Sequence, residues 1–307
     1  WANKLMKSKT MPFDAIENYI KKVHETFSTF NPFYIISGDT DLENQSSINH
    51  YRKASHLLRH LAPDCLQSYH IRGRMVELPE EIIDEIDFYM YQTGHSAKES
   101  DKEMCYQMPE YFLTNYPVKP LINSEPCYES IGYAGNMYGR FHQFDIRRAA
   151  WQSLLAGASA GITYGAGGVY SWHEYGKHFS PCIGEGFDMP HPWQIALHYP
   201  GAWDYSDIKH IFCEYKITDL NPRQDILLNE TKEIRIAEYQ NRYFIYVPEN
   251  TTIKLKIDIN DIESITILDL ETRRKEIGNK YKKDGICCLE MHTFGHDVLY
   301  IVELKNI

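Results

Sequence analysis

Ile16, Ile20, Val23 and Phe27 fall on one face at helical spacing and predict a helix over residues 13–27, followed by a short apolar run, 33–36, that reads as a buried strand. The alternation then repeats. Ile48, Leu57, Leu58 and Leu61 mark a helix over 47–61, closed by Ala62 and Pro63 and followed by a strand at 66–70. An acidic helical stretch at 78–86 leads to a strand at 88–91, a helix at 106–116 leads to a strand at 119–124, and a helix at 144–157 leads to a glycine-rich strand at 161–169. Strands alternating with helices predict a parallel sheet with crossover connections.

After about residue 188 the rhythm changes to short alternating segments, 242–248, 252–258, 264–269 and 298–303, which predict an antiparallel sandwich. Residues 190–228 read as a connection with a helix near 207–212, and the polar stretch 219–224 as a boundary. The expected fold class is therefore α/β plus all-β, with one unit over 1–218 and a second over 219–307.

Composition narrows the function classes. A net charge of −10 and the absence of a basic cluster argue against nucleic acid, and no apolar run reaches the ~18 to 20 residues needed to cross a bilayer, so a soluble protein is expected. The seven cysteines show no pairing rhythm, which speaks against a disulfide framework and favours a reducing cytoplasm. A signal segment cannot be judged from a chain that opens at Trp1. Cys287 and Cys288 lie in an apparent strand and read as small buried hydrophobes on opposite faces. No cofactor or metal is expected, since there is no paired Cys-x-x-Cys motif and no ligand spacing around His70 and His95. Gly165, Gly167 and Gly168 lack the order and the lysine of a phosphate loop.

Candidate chemistry sits where strands end. The apolar run Leu121-Ile122 delivers Glu125 directly before Pro126, and the 33–36 strand ends in a Ser-Gly turn that presents Asp39, with Asp41 as a competitor. Barrel enzymes carry reacting groups at the C-terminal ends of strands, and two carboxylates so placed fit glycoside hydrolysis, one as acid and the other as nucleophile or base. His70, Gln92 and His95 also follow strands, at the same mouth, and suit contacts to sugar hydroxyls. Tyr164 and Trp172 read as stacking rings, and Tyr128 and Glu129 as substrate contacts. Arg147 and Arg148, at the start of a helix, are read either as ion-paired caps or as a cation that keeps Glu125 ionised.

Taken together, Ile35-Ile-Ser-Gly-Asp39, Tyr69-His-Ile-Arg-Gly73, Asp87 to His95, Asn123-Ser-Glu-Pro-Cys-Tyr-Glu129, Asp145-Ile-Arg-Arg148, Ile162-Thr-Tyr-Gly-Ala166 and Tyr243-Phe-Ile-Tyr-Val-Pro248 resemble the apiosidase-like glycoside hydrolases of family 140 with their C-terminal collagen-binding-type β-sandwich. The resemblance runs in order along nearly the whole chain. It implies a (β/α)8 barrel, Asp39 as acid/base, Glu125 as nucleophile, and a carbohydrate substrate of plant pectic type; exo action is expected, with retention favoured by clan-like placement of the pair on strands four and seven and inversion the outcome if the carboxylates stand ~6.5 to 9.5 Å apart. Only five strands precede the sandwich, so the barrel is expected to lack its first three strands, with residues 1–3 at the end of the third, and to fold and turn over poorly alone. Two other readings stay open: a carbohydrate-binding or non-catalytic remnant, and an endo-acting β-glycanase of the same barrel clan.

Overall fold

The computed structural model describes residues 11–135, 137–179 and 189–305; Cys182 and the expected strand end at residues 1–3 lie outside them. The first half alternates helix α1 (Ala15–Phe27), strand β1 (Tyr34–Ile35), α2 (Gln45–Leu61), β2 (Gln67–Ser68), α3 (Glu80–Ile83), β3 (Tyr89–Gln92), α4 (Glu99–Lys102), α5 (Met104–Asn115), β4 (Leu121–Glu125), α6 (Gln143–Leu155) and β5 (Gly161–Ile162). β1 pairs with β2, and β3, β4 and β5 follow one another, all parallel. A parallel bridge between His70 and Met90 joins the two groups into one run. Among the described residues that run is open, with β1 and β5 as its edges. Along it Tyr69, Ile71, Tyr89, Tyr91 and Leu121 point one way, into a core completed by Ile48, Ile82, Met108 and Phe112 from the helices.

Three segments differ from the pattern read in the sequence. The 33–36 run is half-buried, with Tyr34 at 7% but Phe33 at 67% and Ile35 at 42% exposure; among the described residues β1 pairs with β2 alone. The 78–86 helix is the single turn α3, and beyond it Lys119 Nζ bonds the carbonyls of Ile83 and Ile86. The glycine-rich strand ends at Ile162 and turns into the short helix α7 (Gly167–Tyr170). There a Cβ on Gly165 would meet the Tyr128 ring at 2.1 Å, and one on Gly168 would meet the His191 carbonyl at 2.2 Å, so close approach to neighbouring chain accounts for the glycines.

Helix α8 (Trp193–Ala196) and helix α9 (Gly201–Glu214) follow, the latter twice the length anticipated. The remainder is antiparallel. A six-stranded sheet runs β11 (Lys275–Ile277), β10 (Ile262–Asp269), β14 (Val298–Leu304), β8 (Arg242–Val247), β7 (Arg235–Tyr239), β6 (Asn221–Pro222), and a three-stranded one runs β12 (Lys280–Lys283), β13 (Ile286–Leu289), β9 (Ile253–Leu255). Ile245, Val247, Ile265, Ile267, Tyr300 and Val302 of the large sheet share a core with Ile253, Leu255, Cys287 and Leu289 of the small one. Cys287 and Cys288 are both buried, and the six described cysteines are all free.

The other face of the large sheet, Phe244, Tyr246, Leu268, Leu299 and Ile301, packs on Trp151 and Leu155 of α6 and Ile211 of α9. Helix α6 is consequently buried on nearly every side. Among the described residues no helix is long and apolar enough to cross a membrane.

Candidate active site

Glu125 is the last residue of β4, and a bulge decides where it points. β3 and β4 pair Tyr91 with Asn123 and then Gln92 with Glu125, leaving Ser124 as one extra residue in β4. Side chains alternate along a strand, so regular pairing would put Glu125 on the face of Asn123, which is fully buried against Ser153 of α6. The extra residue turns Glu125 to the opposite face, beside its partner Gln92. Ser124 is held there by its own hydroxyl, which donates to the Tyr91 carbonyl at 3.0 Å, and by Thr163, which donates to the Ser124 carbonyl at 2.7 Å.

Two imidazoles clasp the Glu125 carboxylate. His95, just past β3, has Nε2 3.0 Å from Oε1, and His70, just past β2, has Nε2 3.3 Å from Oε2. The backbone N–H of Asp39 donates to His70 Nδ1 at 3.0 Å, so that nitrogen is the acceptor and Nε2 carries the proton aimed at Glu125. For His95 the same tautomer follows from Nε2 facing a carboxylate, which can only accept, and its buried Nδ1 has no partner among the described residues. Burial alone would push the Glu125 carboxyl up; the hydrogen bonds from His70 and His95 outweigh it and hold the group at about 2. Glu125 is therefore a committed carboxylate.

Asp39 lies across the His70 ring from Glu125. It sits at φ 44°, a left-handed conformation that few non-glycine residues adopt, in the turn after β1. Its Oδ1 accepts from Gln92 Nε2 at 2.9 Å, and the same amide nitrogen bonds the Ile71 carbonyl at 3.2 Å. Asp39, His70, Gln92, His95 and Glu125 thus meet from the C-terminal ends of β1 to β4. Tyr128 joins them: its ring lies 4.5 Å from His95, and burial followed by the adjacent Glu125 charge pushes its hydroxyl well above the ordinary tyrosine value.

The remaining candidates fall elsewhere. Glu129 is 4% exposed and ties two segments together: its carboxylate accepts from the Tyr164 hydroxyl at 2.7 Å and from the Gly201 N–H at 2.9 Å, at the start of α9. Burial raises its carboxyl above the usual range against the pull of those two donors. Tyr164 is committed by the same bond. Arg147 does not reach Glu125; its guanidinium binds Asp297 at 2.6 Å, Glu271 at 3.0 Å and Asp204 at 3.2 Å, between α6, α9 and the antiparallel sheet. Arg148 pairs with Asp145 at 3.6 Å and stacks on Phe144. Trp172 is exposed and stacks on Trp193, a residue that no local pattern singled out. No group of three or more His, Cys, Asp or Glu among the described residues is arranged to hold a metal ion.

The fold has solved relatives. One is a glycoside hydrolase that superposes with a TM-score of 0.82 at 18% identity, over 99% of this chain and 71% of its own. Another, a glycoside hydrolase family 5 protein from Bacteroides vulgatus, gives a TM-score of 0.80 at 20% identity, over 95% of this chain and 66% of its own. The chain thus spans about two thirds of these relatives, and at such identities the likeness establishes the fold alone. A comparison with curated proteins gives no match. The model of the family "Apiosidase-like, catalytic domain" matches residues 1–219, well over half of the sequence, and the chain accordingly belongs to the apiosidase-like catalytic-domain family.

Proposed function

We propose that the protein is an exo-acting, retaining glycoside hydrolase that cleaves a glycosidic bond in pectic plant polysaccharide or oligosaccharide, with Glu125 as nucleophile and Asp39 as acid/base. The observation that carries this reading is the clasp on Glu125: a carboxylate held at about 2 by two histidines cannot serve as a proton donor near neutrality, but it is ready to attack. The second carboxyl, on Gln92, then has the complementary role. In the first step a Glu125 oxygen bonds to the anomeric carbon while Asp39 gives its proton to the departing glycosidic oxygen. In the second, Asp39 takes a proton from water, whose oxygen displaces Glu125 from the glycosyl-enzyme. Retention, exo action and the pectic substrate rest on the family resemblance. On this reading the parallel sheet is part of a (β/α)8-type barrel, residues 1–218 form the catalytic unit, and the β-sandwich of 219–307 braces it.

The test is hydrolysis of rhamnogalacturonan-type oligosaccharides by the parent and by the Asp39→Asn and Glu125→Gln variants, with released monosaccharides separated by chromatography. Release by the parent, and a loss of roughly 10² to 10⁴-fold or more in each variant, supports the assignment. Turnover close to the parent's in Glu125→Gln excludes it as the nucleophile.

A further inference from the structure

We propose that Trp172, backed by Trp193, is a stacking platform for a second sugar ring of the substrate, outside the Asp39–Glu125 centre. The identity of the ligand rests on the glycosidase reading; the platform itself rests on geometry. The two indoles lie 4.8 Å apart and 8° from parallel, so Trp193 covers one face of Trp172 while the residue stays 60% exposed. Its position is built, not accidental. Trp172 is held at φ 48° at the end of α7, where its N–H donates to the Val169 carbonyl. The next residue, His173, is 6% exposed, and its carbonyl accepts from the Trp193 N–H at 2.8 Å. Gly168 brings α7 against His191, so the segments bearing the two indoles are locked in register.

A line of ring contacts leads from the carboxylates as far as Tyr170, on the same short helix that Trp172 follows. His95 holds Glu125, Tyr128 lies 4.5 Å from His95, Tyr170 lies 5.8 Å from Tyr128, and Trp172 follows two residues later. The apolar C–H face of a sugar ring matches the flat face of an indole, whereas its hydroxyl edge needs polar partners. Carboxylates and histidines at one end and a rigid indole at the other therefore fit a substrate of more than one sugar unit, with the bond to be cleaved at Glu125 and a further ring on Trp172.

The experiment is calorimetric titration of the full chain carrying Glu125→Gln, which removes turnover, with size-fractionated rhamnogalacturonan oligosaccharides and, in parallel, cello-oligosaccharides. The same titrations are run with Trp172→Ala and Trp172→Phe added, after circular dichroism melts have shown that each variant is folded. The expected result is binding that tightens with oligosaccharide length, weakens about tenfold in Trp172→Ala, and largely returns in Trp172→Phe. Length-independent binding, equal affinity without the ring, no return with phenylalanine, or no binding in either series overturns the platform. Trp172-dependent binding by a protein that hydrolyses nothing would sink the catalytic reading and leave the platform standing; turnover with binding indifferent to Trp172 would do the reverse.

Discussion

Glu125 stands opposite Gln92 in the parallel β3–β4 pair, one residue later than regular pairing would allow. The single extra residue, Ser124, is what sets the carboxylate between the two histidines instead of against α6. Removing the clamps on that bulge should loosen the carboxylate. We expect Ser124→Ala and Thr163→Val each to cost about 1 kcal/mol of stability, the ordinary worth of one hydrogen bond, and to lower kcat more than KM rises. Denaturant melts and steady-state kinetics check this; unchanged kcat in the double variant would show that the bulge stands without its hydrogen bonds.

The histidine clasp has a consequence for the pH profile. His95→Phe keeps a ring against Tyr128 but removes the N–H that Glu125 Oε1 uses. The acid limb of kcat/KM should move up by about one pH unit, because the carboxyl loses a partner of its ionised form. A lowered rate with the acid limb unmoved would mean that His95 serves the substrate and not the carboxylate.

Stability should follow the same group. The folded Glu125 carboxyl lies at about 2, below its ordinary 4.5. A depressed folded value means that its stabilising contribution is complete above about pH 4.5 and is lost as the pH falls towards 2, at most about 3 kcal/mol. Glu125→Gln cannot lose what it lacks. Denaturant titrations from neutral down to about pH 3 should therefore show a shallower decline in that variant than in the parent, and parallel declines would contradict the assignment.

Arg147 belongs to the joint between the helices and the antiparallel sheet. Its side chain is 2% exposed, as is that of Asp204, and that of Asp297 is fully buried. Arg147→Met should destabilise the protein by about 3 to 5 kcal/mol, because buried carboxylates lose their cation. While the variant remains folded, its kcat should stay within about twofold of the parent, as expected for a site the residue does not touch. A large loss of kcat without loss of stability would restore Arg147 to the catalytic centre.

Gly165 tests the packing behind Tyr128. A methyl at this position would overlap the Tyr128 ring, so Gly165→Ala should cost about 1 to 3 kcal/mol and displace the ring from His95. The measurable sign is a fall in kcat/KM relieved in the double variant Gly165→Ala/Tyr128→Leu, where the obstructing ring is gone. No relief would place the cost in the backbone.

The sequence by itself determined the alternation of helices and strands up to β5, the change to antiparallel pairing after it, and the strand-end positions of Asp39, His70, Gln92, His95 and Glu125. These follow from local periodicity: spacing of 3.6 or 2 residues selects the element, and strand ends face one mouth in a parallel sheet. The helix expected at 207–212 begins earlier, at Gly201, behind Pro200 and with Asp204 in its first turn. What only the tertiary structure decided is which face each group turns to and whom it meets. One extra residue in β4 reverses the direction of Glu125 without any mark in the hydrophobic pattern. Arg147 and Asp297 are 150 positions apart, and Glu129 reaches Gly201 across 72. A buried charge takes the nearest compensating partner in space, and no period along the chain encodes which segment will supply it.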